Sequence, residues 1–91
     1  MTYRFRAAKS FRSALAKLPP QQQRSAVAAF KIFKKDPFDS RLGAHKIHKL
    51  SAAYGTTVYS VRIEGDLRAT FFLEGNIVWS VDIGTHAIYR R

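Results

Sequence analysis

The chain lacks cysteine altogether and is poor in acidic residues: six Asp and Glu stand against sixteen Lys and Arg in 91 residues. The absence of cysteine excludes a disulfide scaffold and a thiolate metal site, and it fits a reducing cytoplasm. The shortage of acids leaves a formal net charge of +10. The surface field is therefore positive, and the natural partners are polyanions, either nucleic acid or an acidic protein.

Long hydrophobic runs are also missing. No stretch is long enough to span a bilayer, and four cations interrupt the N-terminal apolar residues where a signal peptide needs an unbroken core: Arg4, Arg6, Lys9 and Arg12. We therefore expect a cytoplasmic protein without a membrane partner. The chain is 46% hydrophobic and 13% aromatic, which suffices for one folded domain spanning residues 1–91.

The N-terminal part has the pattern of a strand followed by a helical hairpin. Tyr3 and Phe5 alternate with polar residues, as in a short strand with one buried face. A first amphipathic helix ends at Pro19 and buries residues at helical spacing: Phe11, Ala14, Leu15 and Leu18. A second helix begins at Pro20 and stops at Asp36. Its predicted buried residues are Ala26, Val27, Ala29, Phe30 and Phe33, and its predicted solvent-facing residues are Gln22, Gln23, Arg24 and Lys31.

The middle of the chain shows no clear period. Residues 36–55 are rich in basic side chains, and their apolar residues do not repeat at helical or strand spacing. This predicts a basic loop anchored by Leu42, Ile47 and Leu50. Loops on a rigid scaffold often carry function.

Three strands end the chain, at residues 56–63, 67–73 and 77–83, and they predict an antiparallel meander. If Ile63 pairs with Ala69, one non-core face carries four polar residues: Arg62, Glu64, Arg68 and Thr70. The last turn admits two lengths, which place Trp79 on opposite faces. With the helical hairpin, these strands indicate an α+β protein.

The C-terminal segment supplies the polar groups that RNA cleavage needs. His86 follows the last strand and is a candidate general acid or base, Tyr89 is a candidate base-stacking or hydroxyl-donating residue, and Arg90 and Arg91 are candidate RNA-binding cations. The alternatives are a solvated turn histidine, an aromatic residue that closes the core and a frayed basic tail.

Two arginines of the predicted hairpin are candidates for binding phosphate. Arg62 and Arg68 would lie near one another and stabilise charge that develops during in-line displacement. The alternative for Arg62 is a surface pair with Glu64. Asp66 either forms the turn beside Gly65 or orients an arginine or histidine of the site.

The basic loop contributes further candidates. His45 and His48 fit acid–base catalysis, metal binding or a plain polar role, and metal is the weakest of these because neither cysteine nor a carboxylate cluster accompanies them. Lys46 and Lys49 are candidate phosphate contacts, or else simply solvated. We expect neither a metal nor another cofactor.

The order of these parts resembles the RelE/ParE superfamily of bacterial toxins over essentially the whole chain. The resemblance rests on short motifs in a specific order: Lys-Leu-Pro-Pro at 17–20, His-Lys-Leu at 48–50, Val-Tyr-Ser-Val-Arg-Ile at 58–63, Asp-Leu-Arg-Ala-Thr-Phe-Phe at 66–72 and Asp-Ile-Gly-Thr-His at 82–86. It implies the superfamily's fold, an N-terminal strand and two-helix hairpin packed on a curved antiparallel sheet.

Within the superfamily the chain looks most similar to the YafQ-type ribosome-dependent mRNA interferases. By that resemblance His86 matches the C-terminal catalytic histidine, Asp66 the aspartate, and His45 or His48 the loop histidine. Tyr89 takes the aromatic role one position off. The chain departs from the subgroup at Arg62, where the subgroup has another histidine, and Arg68 lies where many RelE-like members keep a phosphate-binding arginine.

The resemblance implies the toxin of a type II toxin–antitoxin pair that cleaves mRNA on the ribosome without a metal and is neutralised by an acidic antitoxin. An alternative on the same fold is a ParE-like inhibitor of DNA gyrase without nuclease activity. The candidate histidines favour the nuclease, because a gyrase inhibitor needs no proton carrier. A third alternative is an attenuated or orphan member that has lost toxicity.

Overall fold

The computed structural model describes residues 2–90, and of Arg90 the backbone alone. Within these residues the strands are β1 Arg4–Ala7, β2 His45–Lys46, β3 Val58–Glu64, β4 Leu67–Glu74 and β5 Ile77–Gly84. The α-helices are α1 Lys9–Ala16, α2 Pro20–Phe33 and α3 His48–Tyr54, and 3₁₀ helices cover Ser40–Leu42 and His86–Arg90. The predicted α+β class is confirmed.

The helical hairpin forms as predicted, with Pro20 in the first turn of α2. Three details differ from expectation. Gln23 is half-buried because its amide donates to the carbonyls of Ala16 and Leu18 at 3.3 and 2.9 Å, which satisfies acceptors at the end of α1. Gln22 is half-buried as well. The prediction that Val27 is buried is wrong: it is 55% exposed, because Ala26 and Phe33 define the face that packs on the sheet.

The sheet has the strand order β1-β5-β4-β3-β2. Its C-terminal part is the predicted antiparallel meander, but β1 pairs with β5 in parallel, so the sheet is mixed. A parallel pair needs a long crossover connection, and here all the chain between the two strands provides it. The core lies between one face of this sheet and the helical hairpin, with Phe33 against Phe71 at a ring-centroid distance of 5.0 Å.

The predicted register of the β3–β4 hairpin is wrong. Ala69 pairs with Val61, and Arg62 lies directly opposite Arg68. The register shifts between Arg62 and Glu64, which brings Glu64 opposite Leu67. Because paired residues share a face, this irregularity moves the Glu64 side chain away from the face of Arg62.

The β4–β5 hairpin has the shorter of the two predicted turns, with Glu74 paired with Ile77 and Gly75 at a φ of 61°. Trp79 therefore pairs with Phe72 on the face opposite the helical hairpin, and the two rings stack. A left-handed conformation at Gly75 is what so short a turn requires.

The prediction of an irregular loop over residues 36–55 is wrong. The segment contains the first 3₁₀ helix, β2 and α3, each too short to produce a recognisable period. Its anchors behave as expected, since Leu42 and Leu50 are buried and Ile47 is half-buried. The Ile47 amide donates to the Val58 carbonyl at 2.8 Å and holds the segment against β3.

Candidate active site

The candidate site lies on the sheet face opposite the helical hairpin. His45 of β2 pairs with Ser60 of β3, and Arg62 of β3 pairs with Arg68 of β4. Residues paired across strands point to the same side, as do residues two apart along a strand. One face of the sheet therefore carries His45, both arginines and the buried Ser60.

A cavity of ≈ 330 Å³ opens on this surface. His45, Arg62 and Arg68 line it, together with Arg41 at the end of the segment that precedes β2. The cavity thus combines one imidazole with three guanidinium groups, which suits a phosphate group beside an atom that must lose or gain a proton.

The backbone of the loop before β2 orients the His45 ring. Its Nδ1 lies 3.1 Å from the carbonyl oxygen of Gly43. A carbonyl only accepts, so Nδ1 carries the proton and the neutral ring leaves Nε2 as an acceptor. Gly43 adopts a left-handed conformation with a φ of 58°, which a side chain would strain and which turns the chain into β2.

His86 is oriented by Asp66 of the β3–β4 turn. Its Nδ1 lies 3.1 and 3.0 Å from the two carboxylate oxygens of Asp66, so Nδ1 donates and Nε2 is left for another partner. The hydrogen bond from His86 holds the pKa of the Asp66 carboxyl below its usual range, and the charge of Arg68 acts in the same direction. This is the orienting role that the sequence offered as an alternative for Asp66.

Asp66 lies between His86 and Arg68, and Arg68 lines the same cavity as His45. The Arg68 Nε lies 3.6 Å from the Asp66 carboxylate and has no hydrogen-bond partner within the described residues, although it is buried. A buried guanidinium nitrogen without a partner is unusual in a folded protein. No ion pair joins Arg62 to Glu64 in residues 2–90, so the surface pair considered as the alternative for Arg62 is absent there.

Tyr89 lies on the same face but its hydroxyl is already bonded. It lies 2.6 Å from the hydroxyl of Ser60, which is fully buried. Ile88 beside it is also buried. The C-terminal 3₁₀ helix is therefore packed on the sheet, as in the core-closing alternative for Tyr89.

The remaining candidates lie elsewhere. His48 and Lys49 are exposed on α3 and do not line the cavity. Lys46 pairs with Tyr59, whose ring packs against the core, so its side chain is directed away from the face of His45. The Arg90 side chain and Arg91 lie outside the described residues.

Two residues of the site escaped the sequence predictions. Arg41 lines the cavity and donates to Asp39 through Nε and Nη2 at 3.0 and 2.9 Å, which lowers the pKa of Asp39 to about 2. Ser60 carries no sequence signal beyond its alternation with Val61. Arg41 lies in the predicted basic loop, but only the fold shows that it lines the same cavity as Arg62.

Among the described residues, no group of three or more His, Cys, Asp or Glu side chains is placed to hold a metal ion. No helix in that part of the chain is long and apolar enough to cross a membrane.

No family profile matches the sequence, and no curated protein matches it. Solved structures do. The archaeal RelE–RelB complex from Pyrococcus horikoshii matches with 22% identity and a TM-score of 0.70, over 93% of this chain and 96% of that chain. The toxin–antitoxin complex RelBE2 from Mycobacterium tuberculosis matches with 20% identity and a TM-score of 0.70, over 93% and 99%. A copper-bound mutant toxin from Helicobacter pylori matches with 14% identity and a TM-score of 0.62, over 96% and 98%. The chain shares the fold of these proteins.

Proposed function

We propose that this chain is the toxin of a type II toxin–antitoxin pair and that it is a metal-independent endoribonuclease of the YafQ type, which cleaves mRNA on the ribosome. The observation that carries the proposal is the cavity that His45, Arg62 and Arg68 share, with the Asp66–His86 pair next to it, since Asp66 lies 3.6 Å from Arg68. The fold supports it, because two of the similar structures are complexes of a RelE-type toxin with its antitoxin.

The proposed reaction uses the two free imidazole nitrogens. His45 Nε2 takes the proton of a ribose 2′-OH, and the oxygen attacks the adjacent phosphorus in line. His86, charged at Nε2, gives its proton to the departing 5′ oxygen, which leaves a 2′,3′-cyclic phosphate and a 5′-OH. Arg62 and Arg68 stabilise the charge on the phosphorane as it develops. Side chains thus supply both the proton transfers and the stabilisation of the developing charge, so the step needs no metal ion.

The geometry supports His45 over His48 as the base. His45 lines the cavity with both arginines, whereas His48 lies outside it at the start of α3. The hydrogen bond to Gly43 also leaves His45 with an accepting nitrogen, which is what a base requires.

The proposed partners follow from charge and from the similar structures. A net charge of +10 attracts both rRNA with its bound mRNA and an acidic antitoxin. Such a toxin would act in the cytoplasm, where ribosomes and mRNA meet.

The test combines cells and purified components. Induction in cells should stop incorporation of labelled amino acids before it affects DNA synthesis. Purified protein should cut mRNA on programmed ribosomes, His45→Ala should abolish cutting, and His48→Ala is the matched control that should keep it. Replication arrest with DNA breaks would instead select the ParE-like gyrase inhibitor, and no effect on either synthesis would select an attenuated member.

A further inference from the structure

A hydrogen bond between a half-buried and a buried hydroxyl group ties the C-terminal 3₁₀ helix to the sheet. The hydroxyls of Ser60 on β3 and Tyr89 lie 2.6 Å apart. Ser60 is fully buried and Tyr89 is half-buried, so the serine hydroxyl is shielded from water. A shielded hydrogen bond is costly to break, because the serine hydroxyl would be left without a partner.

This contact stands close in the chain to His86. Tyr89 lies three positions after His86 within one 3₁₀ helix, whose rise of about 2.0 Å per residue places them about 6 Å apart. The buried Ile88 lies between them. A contact that holds Tyr89 on the sheet therefore also sets the position of His86 relative to Asp66.

The pair of His86 with Asp66 is too exposed to hold the helix alone. The two side chains are 59% and 48% exposed, and ion pairs in such positions contribute little because water competes for both partners. The position of the helix must therefore come from its packing on the sheet, through the contact of Tyr89 with Ser60 and through the buried Ile88. The Asp66 carboxylate then selects the ring's tautomer and direction.

Ser60 also stands in register with the other candidate catalytic histidine. It pairs with His45 across β2 and β3, and Arg62 is two residues further along the same face. Ser60 thus contacts the helix that carries His86 and pairs with the strand residue His45.

We propose that Ser60 and Tyr89 are positioning residues: their hydrogen bond holds the C-terminal 3₁₀ helix on β3 so that His86 stays at Asp66, beside the Arg68 that lines the cavity with His45 and Arg62. The role of Tyr89 is then to orient the helix, and neither its ring nor its hydroxyl contacts RNA. The catalytic part of this inference rests on the proposed nuclease function, while its structural part does not.

The experiment removes one oxygen at a time, with Tyr89→Phe, Ser60→Ala and the double variant. The matched controls are Tyr54→Phe on the exposed face of α3 and Ser80→Ala, another buried serine of the sheet, and both should behave as the parent. The first readout is the pKa of the Asp66 carboxyl measured by carbon-13 NMR, which needs no RNA. Because His86 lowers this pKa, both single variants should raise it toward its ordinary value.

The second readout is steady-state cleavage on programmed ribosomes. Both variants should lower kcat about tenfold to a hundredfold with little change in KM, since a misplaced proton donor weakens chemistry more than binding. The double variant should be no worse than either single one, as expected for partners in one hydrogen bond.

Each outcome decides between distinct roles. An unchanged Asp66 pKa and an unchanged kcat would overturn the proposal. A raised KM with normal kcat in Tyr89→Phe alone would also overturn it, and would make Tyr89 an RNA contact. If the parent cuts no RNA, the nuclease proposal fails, but a raised Asp66 pKa in both variants still supports the positioning role.

Discussion

Arg62 and Arg68 lie directly opposite each other on β3 and β4, and Arg68 is the only one of the two with an acidic neighbour among residues 2–90. Like charges in this cross-strand position are destabilising. We therefore expect an anion to bind between the two guanidinium groups. The two arginines were candidates from the sequence, but their direct opposition depends on the register that the sequence prediction missed.

Inorganic phosphate should therefore stabilise the protein. An anion that binds the folded state raises the melting temperature in proportion to the logarithm of its concentration above Kd. Arg62→Ala should reduce this gain, and without phosphate it should be as stable as the parent or slightly more stable, because the like-charge contact is gone. Differential scanning calorimetry measures both, with Arg24→Ala on α2 as the control. An equal phosphate gain in parent and Arg62→Ala would remove Arg62 from the anion site.

His86→Ala should abolish growth inhibition and leave the fold intact. The side chain is 59% exposed, and substitutions of exposed residues usually change stability by no more than about 0.5 kcal/mol. Urea unfolding gives the stability, and a growth curve after induction gives the activity. A folded variant that still arrests growth like the parent would exclude His86 from the mechanism.

The pKa of Asp66 should respond to His86 and that of Asp39 should not. His86→Ala should raise the Asp66 pKa toward 3.8, because the hydrogen bond that lowers it is lost. A carboxyl with a lowered folded-state pKa stabilises the fold above its unfolded pKa and loses that contribution as pH falls through the folded value. The Asp66–His86 pair therefore contributes to the stability of the fold at neutral pH, and this contribution is lost progressively as the pH falls below 3.8.

Asp39 is the internal reference for this measurement, since Arg41 holds its pKa at about 2. Carbon-13 NMR of the carboxyl groups across an acid titration follows both residues in one sample. A shift of both in His86→Ala would point to a general change in the fold and contradict the specific pairing.

Binding to ribosomes should weaken steeply as salt increases, because each phosphate that a cation neutralises contributes about −0.7 to −0.9 to the log–log slope. Lys46 and Lys49 remain predicted phosphate contacts, one on β2 and one on α3. Replacing both with glutamine should flatten the slope. Sedimentation with ribosomes at several salt concentrations measures it, and an unchanged slope would place the RNA away from both lysines.

The elements that could be predicted are those whose period is local. Phe11, Ala14 and Leu15 define α1 by helical spacing, and the runs around Val61, Phe71 and Val78 define strands by composition and turns. Helical spacing gave a wrong prediction for Val27, because the apolar stripe of α2 is wider than the part that the sheet covers. It failed for α3, which has too few turns to show a period.

The sequence by itself determined which reactive groups are present: three histidines, a large excess of cations and no thiol. Which of these groups meet was decided by the tertiary structure. The register irregularity after Arg62 sets that arginine opposite Arg68, the β2–β3 pairing brings in His45, and the hydrogen bond between Tyr89 and Ser60 holds the C-terminal segment on the same face. These contacts join residues distant in the chain, and a shift of one residue in strand register would move a side chain to the other face. No local pattern encodes that choice; the packing of the whole sheet does.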